Sequence, residues 1–293
     1  MLQRGGAGLA EKDITEKTLE AFNDVFADIV NGLLFKGEQV IQEYALTDAQ
    51  PFSMYKADGK VHEQERDVAK YWNGSSDSRV NVRIAFLGFE NQSQYEKDMP
   101  LRVIGYDGAA YRAELSQEDR YAVLTLVLYF GDEPWGKNRR LYDAIEIPVK
   151  FRPFVNDYKI NVFEIAHLPE EAVSYFRSDF RIVVDYFIHR RTDPDYRPTD
   201  PDKFRHVDEV LKLMAAITHD ERFVEVLDGE GGKPKDMCEV LDRVEEKGRR
   251  DGVDQTRLES IKNVMEGLKY TAQQAMDLLK IPLSEQPKYA AKL

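Results

Sequence analysis

The chain has 293 residues, of which 42% are hydrophobic and 11% aromatic, enough for one domain of about 150 to 230 residues and an appendage. Its longest apolar runs are shorter than the roughly 20 residues that a membrane-spanning helix requires, so we expect no membrane association. The net charge of −12 argues against a broadly basic nucleic-acid-binding surface, because phosphate neutralisation dominates such binding. Three short basic clusters interrupt this acidity: Lys137–Arg140, Lys150–Arg152 and His189–Arg191.

The compartment follows from the N-terminus and from cysteine usage. The segment MLQRGGAGLAEKD has no apolar stretch long enough for a secretory signal. Cys238 is the single cysteine, so no internal disulfide is possible, and no Cys or His stands near it at zinc-ligand spacing. We therefore expect a cytoplasmic protein.

The first half of the chain predicts a helix and then a hairpin. Apolar residues recur at helical spacing over 15–35, with Thr15 as a candidate N-cap and Gly37 as a stop. A polar interval rich in Asp, Gly and Lys follows. Beyond it, two β-prone runs, 66–72 and 80–89, flank an Asn-Gly turn and predict an antiparallel hairpin.

A helix and a buried strand are expected next. Asp98-Met99-Pro100 has the features of a helix start, and apolar residues from Leu101 to Leu115 repeat at intervals of three or four. The run from Tyr121 to Gly131 is almost continuously apolar, as in a strand buried on both faces, and a weaker strand is expected over 159–166. With further helices at 170–189 and 204–218, the order predicts the α/β (α+β) class, a mixed sheet flanked by helices.

A composition break marks the last quarter. DGEGGKPKD, from Asp228 to Asp236, has the composition of a flexible linker, so we divide the chain into a domain at 1–228 and a linker with a helical tail at 229–293. An interrupted heptad pattern in the tail is compatible with a coiled-coil homodimer and equally with an amphipathic helix folded back on the main domain.

Two classes of chemistry lack support in the sequence. There is no Gly-x-Ser-x-Gly motif, and the five histidines are scattered without a pattern that would activate a nucleophile. Neither GGAG nor GEGGKPK matches a phosphate-binding loop, which needs a Lys followed by Ser or Thr.

The carboxylates are more informative. Glu90 and Gln92 stand two residues apart at the end of a predicted strand and so share one side of the sheet, and Asp67 lies on the preceding element. A Mg²⁺ ion could bind the carboxylates of Asp67 and Glu90 and the backbone carbonyl of Asn91. The alternative is an edge strand whose polar end meets solvent.

These residues resemble the recombination-promoting nucleases, also described as putative transposases, of the PD-(D/E)XK nuclease superfamily. The resemblance spans most of the chain, and its most specific part is the central block containing ENQ, MPLR and YD. Its segments are FADIVNGLLF, ERDVAKYW, GFENQSQYEKDMPLRVIGYDGAAY, VLTLVLYFG, EVLKLMAAITHDERF, MCEVLDRVEEKG and TAQQAMDLLKIP. It implies a restriction-endonuclease-like αβββαβ core, with Asp67 as the first metal-binding acid and Glu90-x-Gln92 as the Glu-x-Lys or Glu-x-Gln element.

Gln92 stands where most members of the superfamily carry lysine, and glutamine supplies neither a positive charge nor a base. Arg102 is our candidate for the missing charge, with Tyr106 one turn further along the helix; alternatively Arg102 makes a salt bridge and Tyr106 packs on the sheet. We therefore predict a DNA endonuclease dependent on Mg²⁺ or Mn²⁺, linked to recombination or mobile elements, with Asp67, Glu90, Gln92 and Arg102 as catalytic residues. The alternative is a catalytically silent DNA-binding or assembly protein with the same fold.

Overall fold

The computed structural model describes most of the chain between Leu19 and Leu293, and within it the side chains at 52–65, 83–91 and 217 lie outside the description. The predicted N-cap Thr15, the turn after Gly74 and most of the Pro- and Asp-rich loop at 192–202 also lie outside it. The described residues are 19–49, 52–57, 60–65, 67–74, 83–92, 94–113, 115, 120–193, 196, 203–218, 221–227 and 232–293. The chain divides into two compact units, Met1–Cys238 and Glu239–Leu293.

Helix α1, Asn23–Phe35, opens the described part of the first unit and carries a buried apolar face that includes Phe26 and Ile29. Lys36 ends it in the left-handed conformation, at φ 52°, and Gly37 follows at φ 87°. A Cβ at Gly37 would lie 3.0 Å from the Cα of Tyr175, so glycine is needed there for both conformation and space. The predicted first helix and its stop are confirmed.

The central sheet has five strands in the order β1-β4-β5-β6-β7. Strands β1, β4 and β5 are antiparallel to their neighbours, whereas β5, β6 and β7 run parallel. The predicted hairpin and the mixed sheet are therefore confirmed. The strands are β1 Leu46–Asp48, β4 Val68–Asn73, β5 Arg83–Gln92, β6 Ala122–Tyr129 and β7 Asn161–Glu164.

A separate two-stranded hairpin occupies what the sequence suggested to be only a polar interval. Strand β2, Phe52–Ala57, pairs with β3, Lys60–Glu65, and Ala57 is aligned with Lys60. The two residues between them in the sequence are Asp58 and Gly59, a strong hairpin signal. Its low hydrophobicity concealed this element.

Helix α2, Met99–Ala113, covers one face of the sheet. Met99 and Val103 pack with Val127 and Tyr129 of β6 in one buried cluster. The helix begins as predicted, but its buried side is displaced from the apolar repeat that starts at Leu101, which is 40% exposed. The buried side consists of Met99, Val103, Tyr106 and Asp107, together with Pro100.

The helices after the sheet complete the first unit. They are α3 Leu141–Ala144, α4 Phe180–Arg190, α5 Val207–Thr218 and α6 Arg222–Glu225. The helix expected over 170–189 is in fact a 3-10 segment, Glu170–Tyr175, followed by α4. The break has a physical cause, because the buried carboxylate of Asp28 in α1 accepts hydrogen bonds from the backbone N–H groups of Arg177 and Ser178.

The second unit is a small helical assembly of the end of the chain. Helix α7, Met237–Leu268, begins at the division between the units, and α8, Ala272–Leu278, and α9, Gln286–Ala290, follow it. Ile261 of α7 packs with Met276 and other apolar residues of the two short helices. Several heptad residues of the tail are thus buried within the unit itself, and the homodimer stays a prediction.

Among the described residues, none of the helices combines the length and apolarity needed to cross a membrane.

Candidate functional site

The residues predicted to form the site meet at one edge of the central sheet. Val68, the first residue of β4, is aligned with Phe89 of β5, and continuing this register by one residue sets Asp67 opposite Glu90. The antiparallel β4 begins at the edge where the parallel strands β5 and β6 end. Asp67 is half-buried there.

Glu90 and Gln92 of β5 are aligned with Val127 and Tyr129 of β6. Aligned positions in neighbouring strands share a face of the sheet, so this register assigns positions 90 and 92 to the face covered by α2. Gln92 is half-buried, and its carbonyl accepts a hydrogen bond of 2.8 Å from the N–H of Phe130. The side chains of Glu90 and Asn91 lie outside the described part of the structure.

Arg102 and Tyr106 contact each other on helix α2, as the spacing of four residues predicts. The guanidinium donates a hydrogen bond of 3.1 Å to the hydroxyl of Tyr106, and its Cζ atom lies 6.0 Å from the centre of the tyrosine ring. Tyr106 is 3% exposed, whereas Arg102 is half-buried. Tyr106 thus packs against the sheet, as the alternative expected, and at the same time fixes the cation near the same sheet face.

Asp107 is a buried carboxylate that the sequence reasoning missed. It is 4% exposed and accepts a hydrogen bond of 2.6 Å from Oγ1 of Thr125 in β6 and another from the hydroxyl of Tyr158. A buried carboxylate needs such donors, because desolvation of its charge is otherwise costly. The network attaches α2, and with it Arg102, to the sheet. Its one sequence signal is Thr125, a polar residue inside an otherwise apolar strand.

The long connection from β6 to β7 starts at the same sheet edge. We call residues 130–160 the insertion. The fully buried Trp135 donates its backbone N–H to Oε2 of Glu164, at 2.8 Å, and Glu164 also forms an ion pair with Arg139. Burial, and secondarily the charge of Glu164, raises the pKa of the Tyr129 hydroxyl, which therefore stays neutral at physiological pH.

A second polar region lies around the start of helix α4. The carboxylate of Asp179 is 6% exposed and accepts hydrogen bonds from the backbone N–H groups of Arg205 and His206, at 2.8 and 2.6 Å. Burial raises the pKa of Asp179, and these hydrogen bonds partly oppose the rise. A cavity of about 220 Å³ beside it is lined by basic side chains. They are Arg177, Arg181, Lys203 and Arg205.

A metal ion at the sheet edge would need oxygen ligands, and Asp67 supplies one of the carboxylates expected to bind it. Among the described side chains, no group of three or more His, Cys, Asp or Glu residues is arranged to hold a metal ion. Glu90 is outside that set, so this absence does not concern the pair formed with Asp67. The donor set that the register brings together, two carboxylates and a backbone carbonyl, fits Mg²⁺ or Mn²⁺.

Comparison with known proteins gives one match. A family described as "Putative transposase, YhgA-like" matches residues 80–196, the segment that contains β5, α2, β6, β7 and α4. The match therefore includes Glu90, Gln92 and Arg102 but ends short of Asp67. No curated protein and no solved structure matches the chain. Over this segment the chain is similar to the putative transposase family, which connects it with mobile elements and with DNA.

Proposed function

We propose, starting from the similarity to a transposase-like family, that the chain is a metal-dependent DNA endonuclease of the PD-(D/E)XK type. The observation that carries the proposal is the backbone register that aligns Asp67 with position 90 and puts Gln92 two residues further along the same strand. The order of elements supports it as well. Helix α1, the antiparallel strands β1, β4 and β5, helix α2 and the parallel strand β6 follow the αβββαβ order of such nucleases.

Asp67 and Glu90 would hold the metal ion through their carboxylates, and Asn91 through its backbone carbonyl. When bound, Mg²⁺ or Mn²⁺ lowers the pKa of a water ligand and neutralises charge that develops on the scissile phosphate. Gln92 would orient the attacking water through its amide, which both donates and accepts hydrogen bonds.

Arg102 would supply the positive charge that Gln92 lacks. Its guanidinium is held by the hydroxyl of Tyr106, so little conformational entropy is lost when it contacts a phosphate. A pre-positioned cation that pairs with charge in the transition state contributes to the rate, whereas a freely rotating one contributes less.

The direct test is cleavage of supercoiled and linear DNA by the purified chain with Mg²⁺ or Mn²⁺. We expect nicking or cutting that is abolished by Asp67→Asn and by Glu90→Gln, since each substitution removes one anionic ligand while preserving shape. Glu43→Gln is the matched control, because Glu43 is an exposed acid near the start of β1, at the opposite end of the sheet. A wild-type chain that cuts nothing, or variants that cut as fast as wild type, would refute the proposal.

A second candidate, a catalytically silent DNA-binding or assembly protein, is favoured by a single observation, the glutamine at position 92. Metal-dependent stabilisation separates the two. A metal ion at 100 times its dissociation constant stabilises the folded state by about 2.7 kcal/mol, a melting-temperature rise of roughly 5 to 10 °C for a domain of this size. We expect this rise with Mn²⁺ in wild type and in Glu43→Gln, and none in Asp67→Asn. Equal responses in all three proteins would favour the silent scaffold.

A further inference from the structure

The segment Pro148–Val155 of the insertion, which we call the Phe loop, exposes large apolar side chains in an ordered conformation. Val149 is 78% exposed, Phe151 62% and Phe154 84%. Apolar groups of this size cost free energy when water surrounds them, and a cluster of them on an ordered loop marks a surface that binds something.

The loop is held firmly from within the insertion. The hydroxyl of Tyr142 lies 2.6 Å from the carbonyl oxygens of both Arg152 and Val155, and donates to one of them at a time. Backbone hydrogen bonds from Phe151 to Pro148 and from Phe154 to Phe151, at 2.8 and 2.9 Å, close two successive turns. A loop ordered before binding loses little entropy on binding.

Charge narrows the choice of partner. The Phe loop contains two cations, Lys150 and Arg152, and no acidic residue. Residues 137–159 as a whole carry six Lys and Arg against three Asp and Glu, in a chain whose net charge is −12. An anionic partner with flat apolar faces fits this combination, and the bases and phosphates of a nucleic-acid strand have both features.

Position points to the same partner. The insertion starts where β6 ends, at the sheet edge that carries Asp67 and Gln92. It is joined to the segment after β5 by a hydrogen bond of 3.0 Å from Nδ2 of Asn138 to the carbonyl of Lys97. The rings of Tyr95 and Trp135, 5.3 Å apart, add an edge-to-face contact between the same two segments.

We propose that the Phe loop binds unpaired bases of a DNA strand, with Phe151 and Phe154 stacking on the bases and Lys150 and Arg152 contacting the flanking phosphates. This inference rests on the proposed function, which supplies the DNA substrate. Stacking on an aromatic ring tolerates any base, so the loop recognises an open strand rather than a sequence. It would hold an unpaired segment next to the sheet edge.

The test is binding of a fluorescent single-stranded oligonucleotide, measured by anisotropy in EDTA so that no cleavage occurs. Stacking contributes about 1 to 3 kcal/mol per base, so we expect Phe151→Ala/Phe154→Ala to bind at least about tenfold more weakly than wild type. The leucine pair should be as weak as the alanine pair, because it keeps apolar surface but lacks a ring, and the tryptophan pair should restore binding. Tyr44→Ala is the matched control, since Tyr44 is an aromatic residue with 76% exposure before β1 and should bind as wild type does.

Three results would overturn the inference: an alanine pair that binds as wild type does, a leucine pair that binds as well as phenylalanine, or a wild-type chain that binds no DNA. A Phe-dependent association with anionic phospholipid vesicles, with DNA binding unchanged, would assign the loop to a membrane instead. The proposed nuclease fails separately. If wild type binds through the two phenylalanines but never cuts with Mn²⁺, the binding inference stands and the nuclease does not. If wild type cuts and the alanine pair binds normally, only the inference is lost.

Discussion

Removing the carboxylate of Asp107 should destabilise the first unit and also reduce any activity that depends on Arg102. Two hydroxyl groups donate to this carboxylate, and hydrogen bonds to a charged group contribute about 1.5 to 3 kcal/mol each. In Asp107→Ala both bonds are lost and the hydroxyl of Thr125, itself 1% exposed, has lost its carboxylate acceptor. Desolvation of the charge is no longer required, which offsets part of the loss. We expect a net decrease of about 3 kcal/mol in the free energy of unfolding.

Urea denaturation followed by circular dichroism measures this change, and a decrease of about 3 kcal/mol corresponds to a melting temperature roughly 6 to 12 °C lower. Thr125→Val is the matched variant, because it removes one donor at almost constant volume and should cost about half as much. The two substitutions share one hydrogen bond, so their effects should combine to less than their sum. A loss below about 0.5 kcal/mol in Asp107→Ala, or strictly additive effects, would show that the network does not attach α2 to the sheet.

Two further predictions concern charge. Gln92→Lys should raise the Mn²⁺-dependent cleavage rate at least about tenfold, because it introduces a cation beside the reacting phosphate, and gel assays at matched protein concentration measure this; an equal or lower rate contradicts it. Asp179→Asn keeps a backbone-accepting oxygen and removes the charge. Since burial raises the pKa of Asp179 in the folded state, wild type should gain stability relative to this variant as pH falls through that raised pKa towards the ordinary value of 3.8. Urea titrations at several pH values test it, and a pH-independent difference contradicts it.

Local sequence patterns were sufficient for the elements whose burial is uniform. Strand β6 was predicted because both of its faces are covered, which leaves an unbroken apolar run that sequence inspection detects. Helix α1 was predicted because its apolar face recurs at helical spacing and Gly37 ends it. The edge containing Asp67 and Gln92 could be predicted because strand alternation sets the two positions of the Glu-x-Gln pair on one face.

Features that depend on partners distant in the chain were missed. Asp107 is buried although it is charged, because its donors Thr125 and Tyr158 come from 18 and 51 residues away, and no local pattern encodes that pairing. The helix predicted over 170–189 is interrupted for the same reason, since the carboxylate that binds the backbone at Arg177 belongs to Asp28, 149 residues earlier. The physical principle is general: propensity is local, whereas satisfaction of buried polar groups is not.

The bond from Asp28 to the backbone at Arg177 and Ser178 also constrains the order in which the first unit folds during synthesis. Helix α1 is among the first segments to leave the ribosome, but the N–H groups that satisfy its buried carboxylate emerge some 150 residues later. At about 5 to 20 residues per second, that interval lasts on the order of 10 to 30 seconds. Until then Asp28 must remain hydrated, so the helix cannot bury its charged side, and closing so long a loop is an intrinsically slow step. The nascent chain therefore carries an incompletely packed N-terminal helix for most of its synthesis, a period in which a chaperone has an exposed apolar segment to bind.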